Sequence, residues 1–170
     1  MDQFLVAVEL LRRPELVGRP VVVGGRGDPS ERAVVSTASY EARAHGVHSG
    51  LALKLARKRC PDAVFLALDF PHYEDASATV MAALRAMPGA TVQVLGWDEA
   101  FVGFEVEESV DPVDLATATR EAVLAASGLS CSVGIGDTLV RAKTATGFGK
   151  PAGIHRLTRD NWFDTMEIGR

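Results

Sequence analysis

Thr91-Val92-Gln93-Val94-Leu95-Gly96-Trp97-Asp98-Glu99-Ala100-Phe101-Val102-Gly103-Phe104 is the stretch on which the reading of this chain turns. Residues 91–95 and 101–104 are short apolar runs of the kind that form strands, and Gly96-Trp97-Asp98-Glu99 interrupts them. Neighbouring side chains on a strand point to opposite faces, so two adjacent carboxylates reach one site only at a turn, a bulge or a strand end. Asp98 and Glu99 sit at such a place. Two carboxylates together there would suit a hard divalent cation such as Mg²⁺, which prefers oxygen ligands. Taken alone, an Asp-Glu pair in a loop is ordinary solvated charge, so its meaning depends on what flanks it.

Downstream, residues 112–127 read as a helix, with Asp111 as its N-cap and Gly128 just past its end. Residues 130–135 read as a strand with alternating small residues. Asp137 is placed to cap a helix running to about residue 146, and residues 153–157 form a last strand before a helical turn starting at Thr158 or Asp160. Upstream, residues 73–87 read as an amphipathic helix. Before it come shorter pieces: a helix over 4–13 ended by Pro14, a strand over 21–23, and a glycine-rich turn over 24–29. A strand over 33–38, a short helix over 39–45 stopped at Gly46, a helix over 51–59 and a strand over 63–68 complete the first half. The second half therefore alternates strand and helix in an α+β order, and the first half is a compact run of short elements.

Composition narrows the class. The chain has 170 residues, 47% hydrophobic and 24% charged, which is ordinary for a globular protein able to bury a core. Its formal net charge of -4 argues against an independent DNA binder, because phosphate-backbone binding relies on clustered Lys and Arg. Cys60 and Cys131 lie far apart, without a CxxC spacing, and read as small core residues of a reducing, cytoplasmic compartment. No apolar run approaches the ~20 residues of a membrane span, and Met1-Asp2-Gln3-Phe4 lacks the basic start of a signal peptide.

Two further constellations carry chemistry. In Ser39-Tyr40-Glu41-Ala42-Arg43, Tyr40 and Arg43 are three apart, so a helix puts a phenol and a guanidinium on one face. That pair would clamp a triphosphate well, although alone it is common surface packing. In Gly149-Lys150-Pro151-Ala152-Gly153, a lysine held in a Pro/Gly turn offers a compact positive charge to a phosphate. His45 and His48 lie across the Gly46 break and do not suit a metal. The Gly24–Gly27 cluster lacks a following Gly-Lys-Ser/Thr and reads as a hairpin turn.

The order and spacing of these pieces resemble the Y-family (translesion) DNA polymerases of the bacterial DNA polymerase IV type. The segments that carry the resemblance are Met1-Asp2-Gln3-Phe4-Leu5-Val6-Ala7-Val8-Glu9, residues 34–47 around Ser39-Tyr40-Glu41-Ala42-Arg43, Trp97-Asp98-Glu99-Ala100, Ser132-Val133-Gly134-Ile135-Gly136, Ala142-Lys143, and Gly149-Lys150-Pro151-Ala152-Gly153-Ile154. Together they cover essentially the whole chain.

The resemblance implies an α+β fold: a ferredoxin-like polymerase palm with a small α/β fingers insertion. It places the start of the palm at 1–4, fingers at 5–69, palm at 70–158 and the start of a thumb at 159–170. It implies template-directed nucleotidyl transfer to a DNA primer 3′ end in lesion bypass, by a two-metal mechanism using Mg²⁺ or Mn²⁺. Asp98 and Glu99 would be the catalytic carboxylates, binding metal together with the Met1 carbonyl. Thr37, Tyr40, Arg43 and Lys150 would hold the triphosphate of the incoming dNTP, and Ser36 and Ser49 would lie over the nascent base pair. Phe4 and Leu5 would line the sugar pocket, with Leu5 at a position usually filled by an aromatic steric gate, so an rNTP would be admitted too. Primer-template DNA would be the partner, with a sliding clamp bound through a C-terminal region outside this chain.

Three departures accompany the resemblance. The first metal-binding Asp of the family falls two positions before Asp2 and is not in this sequence, nor is most of the first palm strand. The thumb and C-terminal domain are also outside it, so this stretch alone is expected to be inactive. Trp97 stands where the family often has Ser. Two other classes stay open at this stage. One is a non-catalytic, Y-family-like binding module of a lesion-bypass assembly, which the missing Asp favours and the retained Asp98, Glu99, Tyr40, Arg43 and Lys150 oppose. The other is a nucleotidyl cyclase, whose Gly-Gly-Asp-Glu-Phe hairpin is not present.

Overall fold

The computed structural model describes residues 1–105, 107 and 109–166. The end of the expected thumb start, residues 167–170, lies outside these. The chain forms two compact units, one of residues 3–76 and the other of residues 1–2 and 77–170.

The first unit is built around three consecutive valines. β1 (Val21–Val23) is wholly buried and sits at the centre of a three-stranded sheet of order β2-β1-β3. It pairs antiparallel with β2 (Thr37–Ala38) and parallel with β3 (Val64–Leu66). A strand buried on both faces reads as a continuous apolar run rather than an alternation, which is how 21–23 reads in the sequence. α1 (Phe4–Arg12) buries Phe4, Val6 and Val8, while α2 (Tyr40–Arg43) and α3 (Leu53–Arg59) contribute Ala42, Leu53 and Ala56 to a core with Val22, Val35, Val47 and Cys60.

The strand expected over 33–38 is shorter. Only Thr37 and Ala38 join the sheet; before them, Val35 exchanges backbone hydrogen bonds with the 50–51 loop and Val34 bridges Ala52. The extended conformation is as expected, but its partner is a loop.

One carboxylate is buried in this unit. Glu9 is 1% exposed. It accepts a 2.8 Å hydrogen bond from the Tyr73 hydroxyl and is paired with Arg13. Burial, followed by this bond, pushes the Tyr73 phenol above its ordinary range.

In the second unit, β4 (Ala90–Val94) and β5 (Ala100–Phe104) form an antiparallel pair, and β6 (Val133–Gly136) and β7 (Ile154–Leu157) form a parallel pair. α4 (Phe70–Arg85), within which the division between units falls, leads into the first pair. α5 (Pro112–Ser127) joins the two pairs, α6 (Leu139–Gly149) connects β6 to β7, and α7 (Trp162–Met166) follows. The α5 boundaries follow the sequence signals: Asp111 caps the Val113 amide at 2.9 Å, Pro112 opens the helix, and Gly128 closes it at φ 69°. The cap of α6 is not Asp137 but its neighbour Thr138, which accepts from the Arg141 amide. Asp137 is instead taken by the Arg141 side chain and the Arg159 amide.

β6 and α6 approach unusually closely, and glycine permits it. A Cβ at Gly134 would press on the Ala142 carbonyl and the Thr146 amide and stand 2.6 Å from Thr146 Oγ1. These are mostly backbone atoms of a helix, which cannot step aside cheaply. Gly134→Ala is therefore expected to cost about 1–3 kcal/mol of stability. Urea denaturation would show this as a lowered midpoint with an unchanged slope. Among the described residues, no helix is long and apolar enough to cross a membrane.

Candidate active site

The β4–β5 hairpin puts the two acids where the sequence places them. Leu95 and Gly96 donate their amides to the Glu99 carbonyl at 2.9 and 3.2 Å, which closes a tight turn around Trp97 and Asp98. The Trp97 carbonyl accepts from Ser77 Oγ at 2.6 Å and so fixes the turn to α4. Asp98 is half-buried and Glu99 exposed. The Met1 amino nitrogen donates to the Asp98 carbonyl at 2.6 Å, so Met1 lies beside the acidic turn.

Cations gather around Glu99. Lys143, on α6, donates to Glu99 Oε2 at 2.7 Å. Lys150 Nζ reaches the Met1 carbonyl at 3.3 Å. The Glu99 carboxyl is held below the usual carboxylate range, first by the Lys143 hydrogen bond; burial opposes this, and the charges of Lys143, the Met1 amino group and Lys150 add to the lowering. In the sequence, Lys143 stands next to Ala142 with no evident role. It lies 44 residues from Glu99, and nothing in either local sequence announces the pairing.

Beside this cluster is an open slot. β5 pairs only with β4 and β6 only with β7 among the described residues, so each presents an unpaired edge. Both edges line a cavity of about 640 Å³ that runs along Asp98–Phe104 and Cys131–Gly136, with Val80, Met81 and Leu84 of α4 and Ala116, Thr119 and Val123 of α5 on its wall.

In the other unit, Ser39 caps α2 by accepting from the Ala42 amide at 3.2 Å, and Gln3 Oε1 accepts from the Tyr40 amide at 2.8 Å. The expected one-face placement holds: the Arg43 guanidinium lies 5.0 Å from the Tyr40 ring centroid. Arg43 Nε donates to the Ala38 carbonyl at 2.9 Å. That bond orients the guanidinium through the nitrogen that an end-on bidentate contact does not need. Thr37 lies just before this helix on β2, and Ser49 Oγ donates to the Ser36 carbonyl at 2.9 Å. Phe4 is buried in this unit, whereas Leu5 is half-buried.

The family model described as "impB/mucB/samB family" matches residues 1–147. The chain belongs to this family. DNA polymerase IV 2 of Mycobacterium tuberculosis (strain ATCC 25618 / H37Rv) is 52% identical over 167 residues, which is 98% of this chain and 48% of that protein. DNA polymerase IV of Methanoculleus marisnigri is 42% identical over 177 residues, covering 100% of this chain and 48% of the relative. Among solved structures, DinB from Sulfolobus solfataricus matches with a TM-score of 0.82 at 27% identity, over 96% of this chain and 48% of that one. An insertion ternary complex of Dbh DNA polymerase gives 0.83 at 27% identity with the same coverage. The mixed helix-and-strand fold is thus that of the palm and fingers region of Y-family polymerases, and the chain spans about half the length of the curated relatives it matches.

Asp98, Glu99 and the Met1 carbonyl offer oxygen atoms, the ligand type that Mg²⁺ or Mn²⁺ prefers, while Lys143 occupies the Glu99 carboxylate and Lys150 the Met1 carbonyl. Among the described residues no three His, Cys, Asp or Glu side chains converge where they could hold a metal ion.

Proposed function

We propose that the complete protein is a DNA-directed DNA polymerase that adds nucleotides to a primer 3′ end during lesion bypass in the cytoplasm. The observation that carries this reading is the Asp98–Glu99 pair on its tight turn, with Met1 and Lys150 beside it, in a chain of this family. Asp98, Glu99 and the Met1 carbonyl would hold divalent cations, which supply charge neutralisation at the transferring phosphate and at the attacking hydroxyl. Lys150 neutralises phosphate charge of the incoming nucleotide from the palm, and Thr37, Tyr40 and Arg43 grip its triphosphate from the fingers. Lys143 holds the Glu99 carboxylate ionised and oriented. Primer-template DNA and a dNTP are the partners, with a sliding clamp bound by a region outside this chain.

A second reading, a non-catalytic module of a lesion-bypass assembly, is favoured by one observation: the two-carboxylate set.

Primer extension with Mg²⁺ or Mn²⁺ separates the two. We expect this chain alone to be nearly inactive, and to bind DNA weakly at ~0.15 M salt because of its net charge of -4. A full-length version with an aspartate just ahead of Met1 should extend a primer. No extension by that version would favour the module, and robust extension by this chain alone would remove the need for a third carboxylate.

A further inference from the structure

Asp2 is one of the most buried charged residues in its unit, at 4% exposure, and the polymerase reading gives it no task. Three donors converge on its carboxylate. Oδ1 accepts from Ser132 Oγ at 2.7 Å, and Oδ2 accepts from Ser130 Oγ at 3.1 Å and from the Ala152 amide at 3.0 Å. A carboxylate taken out of water is tolerable only with such compensation. The two serines would anchor the residue on their own. The third bond reaches a different segment, the turn that carries Lys150.

That turn has need of a clamp. Ala152 sits at φ 53°, a region that a residue with a Cβ adopts only when its surroundings impose it. Gly153 lies against the Gly149 carbonyl so closely that a Cβ there would collide with it. The Asp2 backbone amide donates to the Ser130 carbonyl at 3.2 Å, which fixes Asp2 in place, and the Lys150 ammonium reaches back to the carbonyl of Met1, its immediate neighbour. Asp2 is thus joined to the Lys150 turn at both ends, through Ala152 on one side and through Met1 on the other.

We propose that Asp2 is a positioning residue for nucleotide binding: by holding the Ala152 amide it sets the 150–153 turn so that Lys150 presents its ammonium to the phosphates of the incoming nucleoside triphosphate. This rests on the reading of Lys150 as a phosphate-binding residue. Asp2 touches no substrate and acts only through Lys150.

The test is single-nucleotide incorporation by the full-length polymerase with a dNTP titration, alongside thermal melts of each variant. Asp2→Ala should raise the nucleotide KM roughly tenfold, the lower end of what outer supporting groups contribute, with kcat changed by no more than about twofold. Asp2→Asn should restore the wild-type KM, because its carbonyl can accept from Ala152 while its amide donates to the Ser132 hydroxyl. Asp2→Ser, too short to reach Ala152 but still polar, should behave like Asp2→Ala and serves if the alanine variant does not fold. Ser132→Ala removes a bond to Asp2 without touching the turn, so it should lower Tm and leave KM alone. Added to Lys150→Ala, Asp2→Ala should raise KM no further. The proposal is overturned if the two effects multiply in full, or if Asp2→Ala and Asp2→Ser lower Tm with KM unchanged as Ser132→Ala does. If Lys150→Ala itself leaves KM unchanged, the phosphate role of Lys150 has failed, and the inference falls with it.

Discussion

Asp98→Ala in the full-length protein should lower nucleotide incorporation by at least about 10²-fold, the scale set by deleting one preorganised electrostatic group, while leaving the fold intact. Both halves follow from the hairpin. The contact that Asp98 makes with Met1 uses its backbone carbonyl, and the turn is closed by amides bonded to the Glu99 carbonyl. Alanine keeps all of these. What it removes is one of the two carboxylates that this turn offers a cation, so the loss should appear in kcat rather than in Tm. Glu99→Ala is a useful contrast, because it also releases Lys143 from an ion pair that is about half-exposed on both sides. Such a pair contributes little to stability, on the order of 0–1 kcal/mol, so Glu99→Ala should also melt close to wild type. Single-turnover incorporation and thermal denaturation of the same preparations decide the matter. An Asp98→Ala enzyme that retains wild-type kcat would remove Asp98 from the chemistry, and one that unfolds would make it structural.

How much of this was legible in the sequence varies with the kind of signal. α5 could be placed to the residue because its ends are local: Asp111 and Pro112 at the start and Gly128 at the finish state their own conformations. The Asp98–Glu99 turn and the Tyr40–Arg43 face are local too, being set by a glycine between two strands and by a three-residue spacing on a helix. Residues 33–36 failed in a different way. Their composition signals extension but cannot name a partner, and here Val35 pairs with a loop rather than the sheet. Asp137 and Thr138 are adjacent and both are good caps, so a one-residue choice was open until backbone geometry settled it. The long-range polar bonds were not readable at all. Lys143 on Glu99, Tyr73 on Glu9 and Ala152 on Asp2 span 44, 64 and 150 residues. Each joins groups whose own neighbourhoods look unremarkable, and it is the fold that makes them partners. The slot beside β5 is of the same kind: unpaired edges can be recognised only once the pairing of every described strand is known.

In the polymerase proposed above, sugar selection is where a single side chain should have the largest consequence. α1 begins at Phe4, and the two residues at its start have different surroundings: Phe4 is buried with the core of its unit, and Leu5 is half-buried. A residue serving only as core would be expected to be covered as Phe4 is. The family resemblance puts Leu5 where an aromatic ring usually packs under the C2′ of the deoxyribose, so that a 2′-hydroxyl collides with it. Leucine is shorter than phenylalanine and has no flat edge to close that space. Without the collision, discrimination rests on an apolar surface meeting an added hydroxyl, and such a surface rejects the hydroxyl only weakly, on the order of 10²-fold. We therefore expect the complete enzyme to prefer a dNTP over the matching rNTP by no more than about this factor. Leu5→Phe or Leu5→Tyr should raise the preference by lowering kcat/KM for the ribonucleotide more than for the deoxyribonucleotide. The measurement is incorporation of matched dNTP and rNTP on one primer-template, with both kcat and KM resolved, because a steric clash at the sugar should act on the bound geometry as well as on affinity. A wild-type preference in the thousands, or a ratio that Leu5→Phe does not move, would mean that Leu5 is not the gate and that another group excludes the hydroxyl.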